Sequence, residues 1–140
     1  MQSVDRKKIL TRLSEQRGEQ KGPLNLCIQL NYFAEPQKKG ASRQDLPHLL
    51  DLASKLPHIK LRGLMVIPPK TDCFETQLIQ FKQIKHCFDQ YRHQYPQMDT
   101  LSMGMSGDIE AAIAAGSNML RIGTDIFGKR TPKSNQQQPN

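Results

Sequence analysis

The stretch Leu101–Gly128, LSMGMSGDIEAAIAAGSNMLRIGTDIFG, carries the reading of the whole chain. Leu101–Met103 and Met119–Ile122 are apolar runs of strand length. Between them, Ile109, Glu110 and a row of alanines make a short helix, which Ser106 or Asp108 caps and Gly116 ends. Both strands run into small residues, Gly104-Met105-Ser106-Gly107 after the first and Gly123-Thr124 after the second. Small residues let backbone N–H groups approach an anion closely, and a helix start behind them adds the positive end of a dipole. Two such turns after consecutive strands match the phosphate site that (β/α)8 barrels build after their last two strands. Ser106, Gly123 and Thr124 are therefore the candidate anion ligands, with Met105 offering its backbone N–H. Taken singly, each would be an ordinary turn.

Arg121 stands on the second strand, one residue before the Ile-Gly-Thr turn, and should point the opposite way from Ile122. An unpaired guanidinium among apolar residues is costly, so it needs a partner. An ion pair with Glu110, Asp108 or Asp125 is the plain reading; a bound ligand is the other.

Working outward, Leu61–Ile67 is a second buried strand stopped by Pro68-Pro69, and Leu24–Asn31 alternates with Leu24, Leu26, Ile28 and Leu30 on one face. Phe74, Leu78, Phe81, Phe88, Tyr91 and Tyr95 form a helical stripe that belongs to a core rather than to a cofactor. Leu46, Leu49, Leu50 and Ala53 repeat the pattern after Ser42 or Asp45, with Pro47 tolerable in the first turn. Ile9, Leu10 and Leu13 do so after Ser3 or Asp5. Strands alternating with helices predict parallel strands joined by crossover helices. TPKSNQQQPN, residues 131–140, reads as a disordered polar tail behind a single domain over 1–130.

The formal charge of +7 comes from scattered Lys and Arg with no long basic run and no nucleic-acid motif, so a solvated surface is expected. Cys27, Cys73 and Cys87 are odd in number and show no paired spacing, which points to a reducing cytoplasm. No stretch has the length of a membrane span, and the N-terminus lacks the apolar core of a secretory signal. His48, His58, His86 and His93 show no metal-ligand spacing.

SMGMSGDIEAAIAAGSNMLRIGTDIFGKR closely resembles the C-terminal signature of the YggS-like pyridoxal-phosphate (PLP) homeostasis proteins, which share the barrel of the alanine racemase N-terminal domain. The likeness continues through SVDR at Ser3–Arg6, LNLCIQLN, Lys38 with Gly40, and RGLMVIP at Arg62–Pro68. It departs at Tyr32-Phe33, where family members usually carry a polar residue. The resemblance implies the C-terminal half of a (β/α)8 barrel of the alanine-racemase type, with about four parallel strands. Met1–Arg6 would correspond to the family's fourth strand and its exit. It also implies PLP as cofactor, with Met105, Ser106, Gly123 and Thr124 at its phosphate and Arg121 donating to its pyridine nitrogen. Arginine keeps its proton, so the ring nitrogen stays unprotonated and the ring is a weak electron sink. That suits a holder of the cofactor better than a carbanion catalyst.

The family's lysine, which forms an imine with PLP, belongs to the half that the match does not cover. Lys70 follows RGLMVIP by a few residues, and Lys38 or Lys39 could approach the rim, but each reads as a solvated loop lysine. The resemblance thus implies a truncated, non-catalytic PLP-binding protein of vitamin B6 homeostasis; the alternatives are a PLP-dependent racemase-like enzyme and an inactive split-gene piece that needs a separate N-terminal half. Expected partners are PLP, that half, or apo PLP enzymes, with neither nucleic acid nor membrane.

Overall fold

Four parallel strands stand in sequential order, β1 Leu24–Leu30, β2 Ile59–Val66, β3 Thr100–Met105 and β4 Met119–Arg121, each hydrogen-bonded to the next. The computed structural model describes residues 1–130; the expected polar tail, 131–140, lies outside the described residues. Helix α1, Lys7–Arg17, precedes β1, and α2 Leu46–Lys55, α3 Phe74–Gln94 and α4 Ile109–Ala114 form the crossovers. A single turn, α5 Thr124–Phe127, follows β4. The outer side of β1 is taken by the chain's own start. Val4 bridges Ile28 in parallel, and Cys27 and Gln29 donate to the carbonyls of Met1 and Val4. Met1–Val4 therefore behaves as a strand end, as expected.

The strands alternate, and one face carries the core. Leu26, Ile28 and Leu30 of β1 are almost wholly buried, with Leu50 and Ala53 of α2, Phe81, Ile84 and Phe88 of α3, and Ala111 and Ala112 of α4. Each such large side chain contributes on the order of 1.5–3 kcal/mol through burial. Phe74 departs from the expected stripe: it begins α3 and is 42% exposed.

Strict alternation would set Leu61 and Leu64 on opposite faces, yet both belong to the core. The register explains this. Leu26 pairs Leu61 but Cys27 pairs Gly63, so Arg62 is an extra residue on β2 and the side chains beyond it change face. Arg62 instead forms an ion pair with Asp99 at the opposite, N-terminal end of the sheet. Cys27, Met65 and Ser102 are buried without joining that core, because they line the concave face.

The helix starts differ in detail from expectation. Neither Ser3 nor Asp5 caps α1; Arg6 holds the Asp5 carboxylate instead and keeps its pKa below the usual value. At α2 the Ser42 hydroxyl accepts from the Asp45 N–H at 3.0 Å and donates to its carboxylate at 2.7 Å, and Pro47 falls in the first turn.

Candidate functional site

Two turns leave the same end of the sheet side by side. Ser102 pairs Met119 and Met105 pairs Arg121, so β3 spends three residues where β4 spends two. The surplus lies at Gly104, whose φ of +103° and close contacts leave no room for a side chain: an added Cβ would lie 2.5 Å from that of Ala112. This irregularity brings Met105 beside Arg121. The turns are then joined directly, the Asp125 N–H donating to the Ser106 hydroxyl at 3.4 Å.

Among the described residues, the backbone N–H groups of Ser106, Gly107, Gly123 and Thr124 donate to nothing. The Met105 N–H is committed: it donates to the Asp108 carboxylate at 2.6 Å. Asp108 thus occupies the cap position of α4 by place, but its side chain braces the turn rather than the helix. Helices α4 and α5 span six and four residues, so the free N–H groups rather than a long helix dipole supply the attraction for an anion. At Gly123 the backbone φ is an ordinary −123° and a Cβ would meet nothing within 4 Å. The fold of the chain therefore does not require glycine there.

Arg121 is half-buried and makes no ion pair with Glu110, Asp108 or Asp125 among the described residues. Its guanidinium donates to the Ser102 hydroxyl at 2.7 Å and to the Val66 carbonyl at 3.2 Å. Burial lowers its pKa, while the nearby Asp108 charge opposes that shift. The side chain is thus charged, anchored to neutral acceptors, and left with further N–H groups to spend.

Of the loop lysines near this rim, Lys38 is engaged. Lys38 is bound to Glu35 at 2.7 Å and to the Pro68 carbonyl at 2.8 Å, tying the β1–α2 loop to the end of β2. Lys70 and Lys39 are exposed. Tyr32 and Phe33 pack partly into the core, and Arg43 stacks 4.7 Å over the Tyr32 ring. Gln77 of α3, buried, donates to the carbonyls of Thr71 and Gly107 and so props the first turn from behind. Sequence reasoning missed Gln77, Ser102 and Gln2. A polar residue within an apolar helical or strand pattern was the available signal.

The donor set fits a phosphorylated pyridine: four free N–H groups and two hydroxyls for a phosphate, and an arginine on the adjoining strand for a ring nitrogen. The fold is a segment of an α/β barrel, four parallel strands with crossover helices. The chain belongs to the alanine racemase N-terminal domain family, which matches residues 1–131. It is 50% identical over 128 residues to the pyridoxal phosphate homeostasis protein of Vibrio cholerae, covering 91% of this chain and 54% of that protein. The Escherichia coli K12 protein of the same description is 45% identical over 128 residues, with 91% and 55% covered. Synechococcus elongatus PipY, solved with PLP bound, superposes with a TM-score of 0.80 at 33% identity, covering 91% of this chain and 59% of PipY. The chain therefore spans about half the length of the curated relatives that it matches.

No helix among the described residues is long and apolar enough to cross a membrane, and no cluster of His, Cys, Asp or Glu there is suited to a metal.

Proposed function

We propose that this chain supplies the phosphate-holding and ring-nitrogen-holding half of a PLP site, and that it retains the cofactor in vitamin B6 homeostasis rather than turning over a substrate. The observation that carries the reading is the pair of joined turns, with four free N–H groups, set beside an anchored arginine that no carboxylate neutralises. PLP, when bound, supplies an aldehyde and an electron-withdrawing ring. The residues here act on its other end. The N–H groups of Ser106, Gly107, Gly123 and Thr124, with the Ser106 and Thr124 hydroxyls, would hold the phosphate, and Asp108 keeps the first turn in shape through Met105.

Arg121 would offer an N–H to the pyridine nitrogen. Because a guanidinium does not surrender its proton at ordinary pH, that nitrogen would remain an acceptor. The ring would then draw electrons weakly, which favours holding over catalysis. The Lys38 amine is already engaged by Glu35 and the Pro68 carbonyl, which supports a site whose covalent partner lies in the other half of the barrel.

Titration with PLP and with inorganic phosphate tests the reading. Gly123→Val should weaken both ligands by more than tenfold, because its side chain fills the cradle. Thr124→Ala removes one hydrogen bond, worth about 0.5–1.5 kcal/mol net or up to about 3 kcal/mol to a charged group, and should weaken both less. Arg121→Ala should weaken PLP far more than phosphate. Equal binding of both ligands by all three variants and the parent would refute the site. A dominant lysine adduct on Lys38 or Lys70 after borohydride reduction would reopen the enzyme reading.

A further inference from the structure

We propose that Ser102, backed by Gln2, is the positioning residue that fixes Arg121 for the ring nitrogen; the inference rests on the PLP reading above. Ser102 lies on β3, wholly buried, where an apolar side chain would be the default for a short central strand. Its hydroxyl has two partners and their polarity is forced. A guanidinium only donates, so at the 2.7 Å contact Ser102 Oγ must accept from Arg121. The hydroxyl's own hydrogen is then free to go to Gln2 Oε1, 2.6 Å away. That contact sets the Gln2 amide, whose Nε2 meets Met119 Sδ at 2.9 Å. Residues 100 and 117 positions apart are thus linked across the concave face, from the N-terminal segment to the edge strand.

Nothing in this relay titrates near neutrality, so its polarity does not reverse with pH. Ser102 and the Val66 carbonyl hold the guanidinium at two points on two different strands. Arginine on an edge strand of three residues has many rotamers to choose from; two-point anchoring selects one before a ligand arrives. Recognition of a single acceptor atom in a ring depends on that direction. Recognition of a phosphate by the turns does not.

The test compares the 140-residue chain with Ser102→Ala, Gln2→Met and Arg121→Ala, singly and with Ser102→Ala and Arg121→Ala combined. Three probes are titrated: PLP, its deaza analogue carrying C–H in place of the ring nitrogen, and inorganic phosphate. Ser102→Ala should weaken PLP about tenfold and leave the other two within about twofold; the double variant should be little worse than Arg121→Ala. Gln2→Met, a milder change at a half-buried position, should weaken PLP alone by about two- to threefold. Without ligand, the Arg121 Nε–H resonance should be sharp in the parent and broadened in Ser102→Ala. Equal weakening of all three probes, or unchanged PLP affinity where Arg121→Ala does lose it, would overturn the inference while sparing the PLP reading. A parent that binds none of the probes would overturn both.

Discussion

The two faces of this sheet are made from the same four strands, and they are chemically unlike. The face toward the helices is apolar throughout, with Leu26, Ile28, Leu30, Leu64, Val66, Leu101 and Met103 packed on α2, α3 and α4. The concave face carries Gln2, Cys27, Ser102 and Arg121, and Gln2, Ser102 and Arg121 are joined by directional hydrogen bonds rather than by packing alone. The first arrangement is non-directional and tolerates exchange of similar shapes; the second fails when one donor or acceptor is lost. Close packing and directional hydrogen bonding are thereby assigned to opposite sides of one layer.

The largest effect that would sharpen this contrast is on the helix side. Phe81→Ala, at a fully buried position, should cost about 3–5 kcal/mol in urea unfolding, with phosphate affinity per folded molecule unchanged. A parallel loss of affinity would break the separation of the faces. Next come two glycines of the same rim. Gly104→Ala meets Ala112 and a strained φ and should destabilise by about 1–3 kcal/mol. Gly123→Ala has open space and should change stability by less than about 0.5 kcal/mol while still lowering phosphate affinity. Similar melting temperatures for the two variants would contradict the geometry.

Smaller still is the contrast among thiols. Burial pushes Cys27 up from 9.0 to about 11, whereas Cys73 is exposed. At neutral pH an alkylating reagent should modify Cys73 readily, and Cys27 only on unfolding. Because the folded pKa is the higher, the Cys27 contribution to stability is complete below pH 9 and is lost as pH rises toward about 11. Rapid labelling of Cys27 in the folded chain would contradict its burial.

The smallest effect belongs to the ion pair between Arg62 and Asp99. The guanidinium holds the Asp99 carboxyl below its ordinary 3.8, so its contribution is present above that pH and is lost as pH falls through the lower folded value. Both side chains are partly exposed and solvent screens them, so Asp99→Asn should cost little at neutral pH and flatten the stability profile below about pH 4. A large loss at pH 7 would mean that this pair anchors the sheet rather than decorating its end.

The alternation of strands and helices, the apolar stripe of α3 and the two small-residue turns were all legible in the sequence, because each depends on neighbours within one or two turns of chain. So was the need of Arg121 for a partner, though its acceptors were not: they come from β2 and β3, at sequence distances of 55 and 19 residues. The sequence offers Ser106 or Asp108 as the α4 cap; Asp108 takes that position, but its carboxylate braces Met105 instead of the helix N–H groups.

By itself, then, the sequence determined which segments form strands and helices, which residues are apolar enough to make a core, and which turns are built from small residues. Only the tertiary structure decided which face each residue takes beyond Arg62 and Gly104. One extra residue in a strand reverses every later side chain, and whether it is accommodated is set by hydrogen bonding to the neighbouring strand, not by the local pattern. Leu64 reaches the core and Met105 reaches Arg121 for that reason.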